Sequence, residues 1–429
     1  MKKIDVTLEE FYAFKFKNMW AYIKQEHYSF WMICGYLFFE FVRPQGIFPE
    51  IDVLPYAQLL LLGSLAGAIA DPSVRWVSSP ANKWLIFYFI WLQLSTLTAY
   101  NRDYATYHFM DFFGWFVIYF LMINIINTER RFYITIMIYM LAAGKIAFGT
   151  AKSWVMRGFG FTSWGLMGPN GYFHNSGELA VLMVMLFPLS YYAFSYFRAQ
   201  AATWEKILLN ILWIAPILTV LGASSRGSQI ALAGQLVLMF RKSLFKIKPL
   251  IGIAILVNAL IFLLPQEQKD RFTTAGDDRT SQQRLLYWKH GYTMIQENPL
   301  LGVGYYNFVP YYNDYYSYDL LYPHAQLPHN ILVQIGTDAG YPALIAFLMM
   351  FFFCIFTPLR CKAVPPVVQH IGYGLAMGVI GYFIAGQFVT ITYYPFFWIH
   401  LAFISALFNI NQKAKQDLLS QPIKPPQNP

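Results

Sequence analysis

Three short stretches of the chain hold residue types that could do chemistry. Ser224-Ser225-Arg226-Gly227-Ser228 stands directly before an apolar run. Its serines suit a helix N-cap, and the N–H groups and dipole of a helix start favour an anion. Arginine adds a fixed charge and a planar fork of donors matched to phosphate. Arg226 reads equally well as an interfacial anchor. Pro328-His329-Asn330 also runs into an apolar stretch. A helix N-terminus disfavours the protonated form of His329, and a neutral imidazole is a competent general base. Position alone also fits an ordinary interfacial histidine, and His324, His174 and His290 are rival bases. The third stretch is Ser281 to Glu297, where Leu285, Trp288, Tyr292 and Ile295 recur at helical spacing. It predicts an amphipathic helix, capped by Ser281 and ended by Asn298-Pro299. Lying on a membrane surface, it would set Arg284 and Lys289 beside lipid head groups.

Other features surround these stretches. A loop from about Ala151 to Ser176 holds Arg157 and Gly168-Pro169-Asn170-Gly171-Tyr172-Phe173-His174-Asn175, and Glu178 opens the next apolar run. Gly, Pro and Asn are turn formers, but a simple connector would not need this length. Gly302-Val303-Gly304 precedes eight tyrosines between Tyr305 and Tyr322, which suit either sugar stacking or a membrane interface. Asn330, Gln334 and Asp338 fall four apart and share one helix face. In a membrane such a stripe points into the bundle or a wet cavity. The sequence holds no His-Glu-x-x-His, no acidic cluster at ligand spacing and no phosphate loop, so no metal site and no cofactor are expected.

The elements that must position these residues are apolar helices. The chain has 429 residues, 57% hydrophobic and 12% charged. A soluble domain carries about 25% charged residues. Aromatics reach 19%, with 31 Tyr and 12 Trp, and Tyr and Trp concentrate at membrane interfaces. Candidate spans start near Tyr28, Val53, Trp84, Phe109, Phe132, Gly177, Ile207, Ser228, Pro249, Asn330, Val368 and Tyr394. The expected fold is therefore all-α and polytopic, with about twelve transmembrane helices and one large periplasmic loop carrying the amphipathic helix. Residues 1–27 form a cytoplasmic N-terminus in which Leu8 to Tyr22 reads as an interfacial helix. Residues 28–264 hold helices one to nine, 265–329 the large loop, 330–411 helices ten to twelve, and 412–429 a disordered cytoplasmic tail. With the N-terminus inside, the inner segments hold about twice as many Lys and Arg as the outer ones. That bias places both termini in the cytoplasm, and Arg226, Arg284 and His329 together on the opposite side. The net charge of +9 follows the same bias, and its scatter argues against a nucleic-acid partner. Cys34, Cys354 and Cys361 form no disulfide or zinc pattern. No cleaved signal peptide is read.

In order, Ser225-Arg226-Gly227, the stretch from Arg284 to Phe308 (RLLYWKHGYTMIQENPLLGVGYYNF), and His329-Asn330 followed by Gly340 make a connected pattern. It resembles the O-antigen ligase and polymerase superfamily of bacterial envelope glycosyltransferases, over about Gly168 to Phe347. The ligase form has a second glycine three residues after the first; here that place is Ala343. The resemblance implies metal-independent transfer of a glycan from undecaprenyl diphosphate to an acceptor hydroxyl, on lipid A-core or a similar glycan, at the periplasmic face of the inner membrane. It implies that His329 is the base and that Arg226 and Arg284 bind the diphosphate. Asn330, Trp288, Lys289, Arg157, Asn175 and Gln334 are expected to bind substrate around them. Membrane lipids are the other partners. Alternatives within the superfamily are an O-antigen or exopolysaccharide polymerase and a protein O-oligosaccharyltransferase. The alternative outside it is a polysaccharide transporter or flippase, for which broken helices in matched halves are the mark.

Overall fold

A computed structural model describes residues 7–160, 165–169, 171–242 and 276–420. Among these the regular structure is helical throughout. In chain order the helices are α1 Phe16–Ile23, α2 Tyr28–Val42, α3 Pro44–Ile47, α4 Tyr56–Ala70, α5 Pro80–Leu97, α6 Arg102–Ile125, α7 Glu129–Met156, α8 Ser176–Phe197, α9 Thr203–Gly222, α10 Arg226–Phe240, α11 Arg279–Glu297, α12 Phe308–Tyr315, α13 Ile331–Arg360, α14 Pro366–Ala385 and α15 Pro395–Ser420. Six of them, α6, α7, α8, α9, α13 and α14, are long and apolar enough to cross a bilayer, and α4 is shorter but apolar. The chain is thus an all-helical polytopic membrane protein. The span expected from Pro249 lies outside the described residues, as does the loop before Gly276.

Three expectations change. The segment from Leu8 to Tyr22 does not simply lie on a surface. A 3-10 turn at Glu9–Phe11 precedes α1, and Phe11, Phe14 and Met19 are buried in the bundle core while Phe16 and Trp20 are exposed. Phe11 and Tyr12 pack against Tyr133, and Tyr12 against Phe197. The tail expected to be disordered from residue 412 continues α15 as far as Ser420. Asp278, rather than Ser281, caps α11.

Close helix packing has a readable cause. A Cβ at Gly374 would stand 2.7 Å from the Leu189 Cα, and one at Gly378 2.8 Å from the Met185 carbonyl. Small residues four apart on α14 therefore let the α8 backbone approach directly, the usual device of membrane helix pairs. The Gln235 amide of α10 donates to the carbonyls of Val184 (3.0 Å) and Met377 (2.8 Å), tying α8, α10 and α14 together.

The most consequential feature is a break in α13. Ala339 (φ −150°, ψ 21°) and Gly340 (φ 69°, ψ −170°) leave helical geometry. Backbone groups freed inside a membrane bundle need partners, and four of them find one elsewhere in the chain. Val303 N–H donates to the Thr337 carbonyl at 2.8 Å, and Tyr341 N–H to the Pro299 carbonyl at 2.9 Å. The Ser95 hydroxyl donates to the Asp338 carbonyl. The Trp91 indole N–H is shared between the carbonyls of Leu300 (2.8 Å) and Ala339 (3.1 Å). The segment from Asn298 to Gly304 is thereby laid along the break. Gly302 and Gly304 have φ of 65° and 114°, and a Cβ at Gly302 would meet the Thr337 carbonyl. Ala343, in the place of the second family glycine, is completely buried, so the tight packing expected of a small residue is present.

Candidate functional site

The site lies where the starts of α10, α11 and α13 meet. Ser225 caps α10, its hydroxyl accepting from the Ser228 N–H at 3.4 Å, as the serine-rich turn predicts. Arg226 is the first helical residue. Gly227 leaves room for Phe388, whose Cβ would stand 2.6 Å from an added Cβ. The Arg226 Nη2 donates to Asp278 Oδ2 at 2.9 Å and to the Ser281 hydroxyl at 3.2 Å. Asp278 Oδ1 accepts from the Ser281 N–H at 3.0 Å, and Oδ2 from its hydroxyl at 2.7 Å. Partial burial would raise the Asp278 pKa, but the bonds from Ser281 and Arg226 outweigh it and hold the carboxyl down at about 2.

Arg284 stands further along α11 and is half-buried. Burial and then the charge of Arg226 lower its pKa, while Asp278 acts in the opposite sense. Its Nε is buried with no hydrogen-bond partner among the described residues. His329 precedes the N-cap of α13 with φ of 52°. Its backbone N–H donates to Thr390 Oγ1 at 3.2 Å, its Nδ1 lies 3.3 Å from the same hydroxyl, and its Nε2 lies 3.3 Å from Gln326 Oε1. Burial, followed by the charge of Arg284, lowers the His329 pKa to about 3. The imidazole is therefore neutral near pH 7, on grounds stronger than the helix dipole alone. The arrangement can hold an anion on two guanidiniums beside a neutral imidazole.

The remaining expected residues divide. Asn330 is the N-cap of α13, accepting from the N–H groups of Leu332 (2.9 Å) and Val333 (3.1 Å). Trp288 donates through its indole N–H to the Pro328 carbonyl at 2.9 Å, fixing the turn that carries His329. Lys289 is exposed on α11. Gln334 is 1% exposed, and both polar atoms of its amide are without partners among the described residues. Asp338, next on that face, is fully buried and accepts from the Tyr393 hydroxyl at 2.8 Å. The polar stripe thus points into the bundle. Asn175 is exposed and caps α8 in a reciprocal box with Glu178. Arg157 is exposed at the end of α7 and lines a cleft of about 480 Å³ with Thr150, Ser153 and Gly165. An added Cβ at Gly165 would stand 2.9 Å from the Ser224 N, so this cleft adjoins the Arg226 turn.

Among the rival bases, His290 is buried, with Nε2 2.7 Å from Asp319 Oδ2 and its ring stacked on Tyr316. His174 and His324 are exposed. Tyr305 is buried in the main bundle core, and Tyr312 joins a small second core with Tyr287 and Phe308, so part of the tyrosine run is structural. Two partners were not legible beforehand. Asp278 carried a signal, an N-cap residue at the head of Arg-Thr-Ser, but Ser281 competed for the same role. Thr390 carried none, because it meets His329 only through the turn between α14 and α15. Among the described residues no three His, Cys, Asp or Glu converge as metal ligands would.

Residues 211–348 match a family model described as O-Antigen ligase. That stretch contains Arg226, Arg284, His329 and the broken half of α13, and over it the chain is similar to that family. No curated protein matches the chain.

Proposed function

We propose that the chain transfers a glycan from undecaprenyl diphosphate to an acceptor hydroxyl, on lipid A-core or a similar glycan, at the periplasmic face of the inner membrane. One observation carries this reading: Arg226 and Arg284 lie within electrostatic reach of each other, and Arg284 of a neutral His329. The donor diphosphate takes the two guanidiniums, which stabilise the charge that develops on it as leaving group. His329 removes the proton of the acceptor hydroxyl. The new bond from acceptor oxygen to the anomeric carbon forms as the bond from that carbon to the diphosphate oxygen breaks, with inversion. The proton rests on His329, and the lipid diphosphate leaves with the electron pair. Two arginines supply the charge stabilisation, so the transfer is read as metal-independent. Burial and then the Arg284 charge hold down the His329 pKa; the diphosphate offsets the second of these, making the imidazole a stronger base once the donor is bound.

The bias of Lys and Arg supports a cytoplasmic position for both termini, which sets the site on the opposite side. Replacing His329→Ala abolishes transfer while the protein remains inserted; full activity in that variant sinks the assignment. The envelope glycans of a deletion strain separate the two main branches. Accumulated lipid-linked polymer marks a ligase, and single repeat units on lipid A mark a polymerase.

A further inference from the structure

We infer that Asp278 is a positioning residue that pre-aligns the two arginines before the donor arrives, an inference that rests on the proposed transfer. The charge of Arg226 acts against that of Arg284, so the two guanidiniums repel. Left alone, their long side chains would turn apart into solvent. Asp278 acts on both. Its Oδ2 takes the Arg226 Nη2 at 2.9 Å, and its charge supports the protonated form of Arg284. The same carboxylate is the N-cap of α11, the helix that carries Arg284. One side chain therefore fixes the rotamer of Arg226 and the start of the helix that presents Arg284. Ser281 completes the arrangement by bonding both Asp278 and Arg226. Arg284 meanwhile keeps an Nε without a partner among the described residues, a donor left for a ligand that Asp278 does not reach.

This geometry separates binding from turnover. A diphosphate is attracted to a guanidinium in almost any rotamer. Charge on the departing group is stabilised only by a fork already aimed at it. Loss of Asp278 should therefore appear in kcat more than in affinity. Asn caps helices about as well as Asp, so Asp278→Asn retains the cap and removes the ion pair.

The experiment uses the full chain in nanodiscs. Undecaprenyl diphosphate is the binding probe, and lipid-linked glycan extracted from a deletion strain is the donor for turnover. Asp278→Asn is expected to lower kcat about tenfold, equivalent to about 1.4 kcal/mol, with the dissociation constant for undecaprenyl diphosphate within about threefold of wild type. In an Arg226→Ala background the same change is expected to cost less than about threefold, because the ion pair it removes is already gone and Asn retains the cap of the helix that presents Arg284. An unchanged kcat overturns the inference. So does an equal loss in both backgrounds, since the ion pair with Arg226 would then play no part. Tighter binding with faster turnover also overturns it, since Asp278 would then compete with the donor. If wild-type protein fails to bind undecaprenyl diphosphate, the proposed function falls first and this inference with it. Wild-type binding with an indifferent Asp278→Asn removes the inference alone.

Discussion

Replacing Gly340→Ala tests the break in α13, the helix that follows His329. Gly340 has φ 69° and ψ −170°, a region essentially confined to glycine, and holding another residue there costs about 1–3 kcal/mol. The added methyl would also meet the Pro299 carbonyl and stand 2.5 Å from that of Leu300. Both are backbone atoms, already tied into the break by Tyr341 and Trp91, so neither can swing aside as a side chain would. Overpacking of this kind costs about 1–3 kcal/mol more, for a total of about 2–6 kcal/mol. Gly149→Ala is the matched control. Gly149 lies within α7, and its added Cβ meets nothing within 4 Å, so helix propensity should stabilise that variant by up to about 1 kcal/mol. Thermal unfolding of detergent-purified protein, followed by circular dichroism, compares the two. Gly340→Ala should unfold at a clearly lower temperature than Gly149→Ala. Coincident midpoints would refute the argument that the break is locked by backbone contacts.

Two further outcomes follow from the site. The His329 pKa is lowered from 6.5 to about 3, so the neutral form is favoured in the folded protein. The stability consequence is a loss as pH falls from 6.5 towards 3. In activity, the acid limb of kcat/KM should lie well below pH 6.5, and that of kcat should lie higher because bound diphosphate offsets Arg284. Arg284→Gln should move the kcat/KM limb upwards; a wild-type limb at 6.5 would contradict the assignment. Arg226→Lys keeps the charge but loses the planar fork of donors that suits a diphosphate, so turnover should fall by about 10–100-fold. Unchanged turnover would argue against a diphosphate clamp.

Helical boundaries were readable because apolar runs and their caps are local. Ser225 caps as its type suggests, and Asn298 ends α11. The N-terminal segment misled because its amphipathic pattern does not reveal what the apolar face meets. Phe11 and Phe14 found a groove in the bundle rather than lipid. The cap of α11 went to Asp278 because Arg226, distant in sequence, made the carboxylate the better-supported partner.

By itself, the sequence determined an all-helical membrane protein, the cations and imidazole at the starts of three helices, and a polar stripe below His329. Each of these depends on spacing within a few residues or on summed composition. Only the tertiary structure decided that Arg226 answers to Asp278, that His329 rests on Thr390, and that Asn298 to Gly304 seals a break in α13. Those pairings join residues far apart in the chain. The seal of the break follows from the need to pair backbone groups inside the bundle, and the other two pairings from elements that only the fold brings together, conditions that local patterns cannot express.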